Sequence, residues 1–364
     1  MDISVNTAAF GKELDLCQRI VSRKPTIPIL SHVKLSANGD GRIELAATDL
    51  DLALVTTCEA VIAQAGDVAV PARTIYEIVK SLNAQETHLA STKTSTDVHA
   101  GSYKGKLQAP DVADYPAIPV PTGAAVMLPR AALRDLIGRV RYAVTAEDTR
   151  YFLQGALLVL ATDRMTLVAT DGHRLTKALV PITDGIEASV IVPKRTLDAL
   201  SDLLDAEDET VEFVQGEQHL FFAVGKRRLI SRMIDAKFPA YDRVIPAGHI
   251  LTFTVATDAL VSAIRRVLLT APHSYIVSCA FLGDGVRVKS ATADIGEAIE
   301  QVAGVFAGGE PITIGLNGRY LLDALETVGA EQIVWRLKDE TAPVRIEPIG
   351  GPIEHVSVIM PMRT

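Results

Sequence analysis

The densest group of chemically capable side chains is Asp171-Gly172-His173-Arg174. An aspartate beside a histidine can orient it as a general base, provided both reach a substrate proton. No nucleophile accompanies them, and three adjacent polar residues do not define a reaction. The same residues also make a tight turn, with Asp and Gly supplying its geometry and His173 packing or capping locally. Asp49 and Asp51 offer carboxylates for a metal, but nothing nearby completes a ligand set. His32, His88, His99, His219, His249, His273 and His355 are scattered along the chain. There is no Gly-rich phosphate loop, nucleophile elbow, zinc spacing or paired-histidine helix.

The turn belongs to a repeat. Ala169-Thr170-Asp171 has an earlier copy at Ala47-Thr48-Asp49 and a looser one at Ala291-Thr292-Ala293-Asp294, with 122 residues between successive copies. Each ends a run that alternates like a strand: Arg42 to Leu45, Met165 to Val168, Val286 to Lys289. Equal spacing of this kind points to one unit used three times. Arg73, Arg195 and Arg319 repeat at 122 and 124 residues, and Tyr115-Pro116, Phe238-Pro239 and Met360-Pro361 at 123 and 122. The Pro-rich stretches 114–122 and 237–247 read as connections between units.

Each unit carries two helical patterns among its strands. The apolar spacing Phe10, Leu14, Cys17, Val21 predicts a helix over 6–24, with Lys12, Arg19 and Arg23 on the opposite face. Further helices are predicted over 72–83, 129–144, 193–205, 257–271 and 317–329, with Pro71 and Pro129 at helix starts and Asn317 as an N-cap. In the helix over 129–144, Arg139 lies most nearly opposite the stripe Leu133, Ile137, Val140 and Val144. The fold class is α+β, with helices over one face of a sheet. These six stretches hold 15 Lys/Arg against 10 Asp/Glu, a balance of +5, whereas the whole chain carries -8 and the remainder therefore -13. Positive charge is thus gathered on helices of an acidic chain, which suits either a basic inner face or ordinary solvated surfaces.

A chain of 364 residues, 48% hydrophobic and 22% charged, is expected to form two or three soluble domains. Domains are predicted at 1–122, 123–246 and 247–364. Met1-Asp2-Ile3-Ser4 shows no basic region before an apolar run, so no secretory signal is read there. Cys17, Cys58 and Cys279 are odd in number and widely spaced, and read as buried thiols in a reducing compartment, hence a cytoplasmic protein.

Longer motifs carry a family resemblance over the whole chain. They are Lys24-Pro-Thr-Ile-Pro-Ile-Leu30, Ala47-Thr-Asp-Leu50, Val70-Pro-Ala-Arg73, Arg150-Tyr-Phe-Leu153 and Val168-Ala-Thr-Asp-Gly-His-Arg-Leu175. Ile234-Asp-Ala-Lys-Phe-Pro-Ala-Tyr241, Arg243-Val-Ile-Pro246 and Met360-Pro-Met-Arg363 complete the set. In this order they resemble the bacterial DNA polymerase III sliding clamps, the β subunits of the replicative polymerase. The resemblance implies three clamp-type domains per chain. It implies a head-to-tail homodimeric ring with helices lining a central hole and sheets outside. It further implies a non-catalytic processivity factor that encircles duplex DNA without sequence specificity and needs no cofactor. Partners would be the DNA polymerase III alpha subunit, the clamp loader and other proteins carrying a clamp-binding motif.

Residue by residue, the resemblance places DNA contacts at Lys24, Arg73, Tyr151, Phe152, Lys194, Arg195 and Tyr320. Glu147 departs from the neutral polar residue common at its position. A partner-peptide pocket would comprise Leu153, Thr170, Gly172, His173, Arg174, Leu175, Pro239, Arg243, Val244, Val358, Met360, Pro361, Met362 and Arg363. Leu107, Leu268 and Leu269 match apolar positions of the ring joint, with Gly105 where a large apolar residue is usual. Two alternatives stand beside this: a specialised or resistant clamp paralogue, and a nucleic-acid-processing enzyme using Asp171 and His173.

Overall fold

The computed structural model describes residues 1–364 except 23, 24, 146, 147, 184, 206–208, 249 and 364. One strand, one helix and three strands form a half-module, and two half-modules form a module. The first module runs β1 (Asp2–Asn6), α1 (Thr7–Ile20), β2 (His32–Ala37), β3 (Arg42–Thr48), β4 (Leu52–Gln64), then β5 (Gly66–Pro71), α2 (Ala72–Ser81), β6 (Glu86–Ser91), β7 (Ser95–Ala100), β8 (Tyr103–Gln108). The second repeats it as β9 (Ala125–Pro129), α3 (Arg130–Val140), β10 (Gly155–Leu160), β11 (Arg164–Thr170), β12 (Arg174–Pro181), then β13 (Ala188–Pro193), α4 (Lys194–Leu203), β14 (Thr210–Gln215), β15 (His219–Val224), β16 (Arg227–Arg232). The third is β17 (Leu251–Ala256), α5 (Thr257–Val267), β18 (Ile276–Leu282), β19 (Gly285–Thr292), β20 (Gly296–Ala307), then β21 (Ile312–Asn317), α6 (Gly318–Thr327), β22 (Gln332–Leu337), β23 (Val344–Pro348), β24 (Glu354–Ile359).

Helix starts follow local chemistry. The Asn6 side chain accepts the Ala9 N–H at 3.0 Å, and Asn317 accepts from Arg319 and Tyr320, which satisfies N–H groups that have no partner within the helix. Pro71, Pro129 and Pro193 each close a strand immediately before a helix, where a missing N–H costs no helical bond. All six helices are shorter than predicted, α1 and α3 by the most. Helix α1 stops at Ile20, because Val21 is already extended (φ -62°, ψ 143°) ahead of Pro25. Helix α3 gives way after Val140 to a 3-10 turn, Arg141–Ala143.

By compactness the chain divides into two units. Unit one is Met1–Ala131 with Arg195–Met233, and unit two is Ala132–Lys194 with Ile234–Thr364. Each holds a twelve-stranded sheet. In unit one, β4 pairs with β16, Arg228 opposite Val55 through Ser231 opposite Leu52. In unit two, β12 pairs with β24, Arg174 opposite Ile359 through Leu179 opposite Glu354. The middle module is therefore shared: β9 and β14 to β16 belong to one sheet, and β10 to β13 to the other.

Apolar burial holds each unit. In unit two, Leu260, Ile264 and Val267 of α5 and Leu321 and Leu325 of α6 pack on Phe253, Phe281 and Trp335. Phe281 meets Phe253 and Trp335 edge-on at 5.2 and 5.4 Å between ring centres. In unit one a buried carboxylate ties α1 to β16. Glu13 accepts two bonds from Arg227, at 3.0 and 2.9 Å, and one from Thr56 at 2.8 Å. Burial opposes ionisation of Glu13, but Arg227, Thr56 and Lys226 together hold its carboxyl below the usual range.

Candidate functional site

The Ala-Thr-Asp repeat is a hairpin turn built twice from the same bonds. In unit two, Thr170 Oγ1 donates to the Arg174 carbonyl at 2.7 Å and accepts the Gly172 N–H at 3.1 Å. Asp171 Oδ1 accepts the N–H groups of His173 and Arg174 at 2.9 and 3.0 Å. In unit one, Thr48 bonds Leu52 and Leu50 in the same way, and Asp49 bonds Asp51 and Leu52. The third position of both turns is left-handed, at φ +87° for Gly172 and +84° for Leu50. Glycine occupies this region freely, whereas leucine is strained there. The looser third copy makes no such turn: Thr292 ends β19 and its hydroxyl donates to the Thr270 carbonyl instead.

Asp171 is thus committed to the turn, and its second oxygen accepts Arg174 Nε at 3.0 Å. Arg174 is a brace. Its remaining nitrogens donate to Asp323 at 2.5 Å and to the Tyr142 carbonyl at 2.8 Å. Its guanidinium carbon lies 4.3 Å from the Tyr320 ring centre and 5.0 Å from that of Tyr142. With an 11% exposed side chain, Arg174 faces inward. Tyr320, expected at a nucleic-acid surface, is half-buried against the same guanidinium.

Beside this turn lies an apolar cluster. Leu153, Leu175 and Val358, all expected in the pocket, pack with Leu157, Val168, Ile191 and Phe238. Stretch 238–245 adds Tyr241 and Ile245 to the cluster, while its Pro239, Arg243 and Val244 are exposed. The chain's last described residues extend the same region. The Met360 N–H donates to the His173 carbonyl at 3.0 Å, and that of Met362 to the Gly315 carbonyl at 2.8 Å. Met360, Met362, Gly172, His173 and Arg363 are exposed, and Thr170 and Pro361 half-buried. Sequence reading missed Leu157, Ile191, Phe238 and Tyr241, which the alternation of their strands and the Phe-Pro repeat could have flagged. It also missed Lys177, whose ammonium lies 5.3 Å from the Tyr241 ring centre.

The helix cations divide. Arg73 is exposed on α2. Arg195 on α4 is more than half exposed yet reaches Asp49 and, at 3.3 Å, the Ile20 carbonyl. Lys194 is half-buried, with Nζ 3.4 Å from the Val144 carbonyl. Tyr151 is exposed and meets the half-buried Phe152 edge-on at 5.9 Å. Lys24 and Glu147 lie outside the described residues.

Arg139 corrects the helix-face reading. It is not projected away from the core but donates to the Thr327 and Val328 carbonyls, at the C-terminus of α6. Burial lowers its pKa. Arg130 caps α4 in the same manner, through the Leu204 carbonyl at 2.6 Å. A cation at a helix C-terminus answers both the unpaired carbonyls and the dipole.

Leu107 is half-buried on β8, Leu268 half-buried and Leu269 75% exposed in the 3-10 turn after α5. Gly105 is not an empty place. A Cβ there would lie 2.4 Å from the Tyr103 hydroxyl oxygen, so the Tyr103 ring already covers that face.

Family comparison places this geometry. The N-terminal, central and C-terminal domains of the DNA polymerase III beta subunit match at residues 1–119, 127–240 and 242–363. The chain belongs to that family. The beta sliding clamp of Caulobacter vibrioides is 32% identical, over all of both chains, and that of Pseudomonas aeruginosa 31%. Among solved structures, the Caulobacter crescentus clamp superposes with a TM-score of 0.92 at 32% identity, covering 100% of each chain. The Bartonella birtlesii clamp, bound to griselimycin, gives 0.94 at 31%, again covering 100% of each. The clamp fold with three domains is therefore this chain's fold. No helix among the described residues is long and apolar enough to cross a membrane. Among the same residues no group of three or more His, Cys, Asp or Glu side chains could hold a metal.

Proposed function

We propose that this DNA sliding clamp acts as a ring of two copies that encloses duplex DNA and tethers partner proteins by a short peptide. The observation that carries the ring is a strand joint used twice within the chain. β4·β16 and β12·β24 each join the fourth strand of one module's first half to the last strand of the next module. The third pair of this kind, β20 and β8, has open edges. β8 ends its sheet, and residues 296–303 of β20 are paired only with β19. Two copies joined head to tail through β20 and β8 close the series, because a repeated joint whose rotation closes makes a ring. Leu107 on β8 and Leu268 and Leu269 beside β20 supply apolar surface to that joint. The three modules are assigned in this reading to 1–122, 123–246 and 247–364.

Arg73, Lys194 and Arg195, with Lys24, Tyr151, Phe152 and Tyr320, meet the duplex through its phosphates, which carry no sequence information. The apolar cluster at β12·β24, rimmed by His173, Arg243, Val244, Met360 and Met362, takes the peptide of the polymerase alpha subunit, the clamp loader and similar partners. A few polar groups around an apolar floor suit such a ligand, and the methionines adapt to differing sequences. An enzyme using Asp171 has no support from its bonds, since both oxygens hold the turn and Arg174.

Retention on DNA tests the reading. Protein loaded on a nicked circle should survive salt that removes it from linear duplex, and should be lost once the circle is cut. Equal loss from both would refute enclosure. Deleting residues 360–364 should leave the mass in sedimentation at two chains while abolishing peptide binding; full peptide affinity would place docking elsewhere.

A further inference from the structure

Cations on the solvent faces of the helices differ in what they already hold. Arg19 of α1 is bound by Asp15 at 2.6 Å and by Asp202 of α4 at 3.0 Å. Arg265 of α5 is bound by Glu326 of α6 at 2.8 Å, and Arg266 by both oxygens of Glu300 at 2.9 and 2.5 Å. Arg195 is held by Asp49. Lys12 on α1 and Arg73 and Lys80 on α2 are exposed and, among the described residues, form no ion pair. A phosphate gains less from a cation that already has a carboxylate than from one attended by water and mobile counter-ions.

The repeat makes this a property of the first module. Lys80, Asp202 and Glu326 hold the same last-but-one place in α2, α4 and α6. On α4 and α6 that place is an acid that neutralises an arginine of another helix. On α2 it is an ammonium, 5.4 Å from the Tyr76 ring centre. Lys12, Asp135 and Ser262 likewise share the sixth place of α1, α3 and α5. The solvent face of α4 and of the turn after it is acidic, with Asp198, Asp202 and Asp205 exposed beside Arg195.

Lys12 and Lys80 line a common groove between α1 and α2. It encloses about 790 Å³ and is lined also by the exposed amides Asn83 and Gln85. A Cβ on Gly11 would lie 3.5 Å from Val79 Cγ1, so the two helices touch at its floor. Asp15, Asp202 and Arg227 line it too, but each is answered, the acids by Arg19 and Arg227 by Glu13. Burial opposes ionisation of Asp15, yet Arg19, Tyr76 and Gln18 hold its carboxyl below the usual range. Two positive charges and two amide side chains are left over, a set that takes up phosphates without reading bases.

We propose that the duplex is gripped chiefly by the first module. Phosphates of one strand run along the α1–α2 groove on Lys12 and Lys80, next to Arg73, while the acids of α4 weaken the grip of the second module. This rests on reading the helices as the surface that meets the duplex.

The test is fluorescence anisotropy of full-length protein on an end-labelled linear duplex across a salt series. Lys12→Gln with Lys80→Gln should lower the slope of log affinity against log salt by about 1.8, and each single change by about 0.9. Arg265→Gln, which loses a cation already bound to Glu326, should move the slope by less than half of either lysine change. Asp202→Asn removes a repelling charge and releases Arg19, so the slope should steepen. An unchanged slope in the double lysine variant would overturn the proposal. So would a fall as large in Arg265→Gln as in either single lysine variant, because the grip would then be spread evenly. Retention of the same proteins on an intact nicked circle separates this proposal from the ring. If circles hold the protein while the lysine changes leave the slope alone, the groove fails and the ring stands. If the slope falls but circles do not hold the protein, the ring fails and the groove stands as a phosphate site.

Discussion

Arg174 ties the turn to three partners, so Arg174→Met is the informative perturbation. Methionine keeps the apolar stem between Tyr142 and Tyr320 but removes every donor. Three bonds disappear: to Asp171 at 3.0 Å, Asp323 at 2.5 Å and the Tyr142 carbonyl at 2.8 Å. The partners are not equivalent. Asp323 is 43% exposed and can turn to water, so its share is small, whereas the Asp171 side chain is 13% exposed and keeps its charge without a counter-ion. Breaking a buried pair from one side costs about 3–5 kcal/mol, and the hydrated Asp323 brings the expectation to the lower end, about 3 kcal/mol. At roughly 2–4 °C per kcal/mol for a large domain, thermal unfolding should fall by about 6–12 °C. Arg174→Lys should recover less than half, because an ammonium cannot fork between two carboxylates and a carbonyl while stacking on a ring. Calorimetry of the three proteins measures this, and peptide titration should show weaker binding as the turn loosens. A shift under about 2 °C, or full recovery by lysine, would refute the brace, since either means that the network contributes no more than a surface pair.

Three further outcomes are expected. His355 is buried and its pKa is pushed down to about 3 by desolvation and by Arg139, while the unfolded chain takes up its proton near 6.5. Stability should therefore fall as pH drops from about 6.5 towards 3, by about 2 kcal/mol at pH 5, and His355→Gln should flatten that stretch of the urea-midpoint profile. Leu50→Asn relieves a left-handed leucine with a residue that tolerates the region and should stabilise by about 0.5–1 kcal/mol, whereas Gly172→Ala should destabilise; chemical denaturation reads both. Arg73→Ala should lower the salt slope of duplex binding by about 0.9, and Arg195→Ala by less, because Asp49 already holds that guanidinium; a fluorescence titration against salt decides between equal and unequal slopes.

Much of the fold was readable because its repeat is written in residues with local duties. The Thr-Asp pair recurs because the same hairpin bonds need a hydroxyl and a carboxylate at fixed offsets, and the helix stripes recur because one face of each helix is buried. The side chains that depart from pattern were not readable. A helical wheel places Arg139 opposite its apolar stripe, but a wheel takes no account of how far a guanidinium reaches towards another helix's bare carbonyls. Gly105 looked like a deficit in sequence, since Tyr103, two residues earlier on the same face, fills it only through its ring. Nor does any short motif announce that β4 will take β16 as a neighbour and β12 will take β24. Those pairings join residues more than 170 apart, and alternation within a strand says which face is buried but not which strand lies alongside. Of the candidate site, Leu153, Leu175 and Val358 lie together in one cluster, while the inward turn of Arg174 depends on Asp323 and Tyr142, which are distant in sequence.

The shared middle module also has a consequence for the order in which the protein is made. Unit one can complete its sheet once synthesis has passed residue 233, because β16 is then available to β4. The other sheet is interrupted. Residues 132–194 leave the ribosome early, yet β12 gains its neighbour β24 only when residue 359 has emerged. For well over a hundred residues of elongation, β12 presents an unpaired edge, the kind of surface that recruits strands from other chains. Two nascent copies on one message are thus exposed to exchanging β24, and a chaperone that shields an extended edge would act on this protein in that interval.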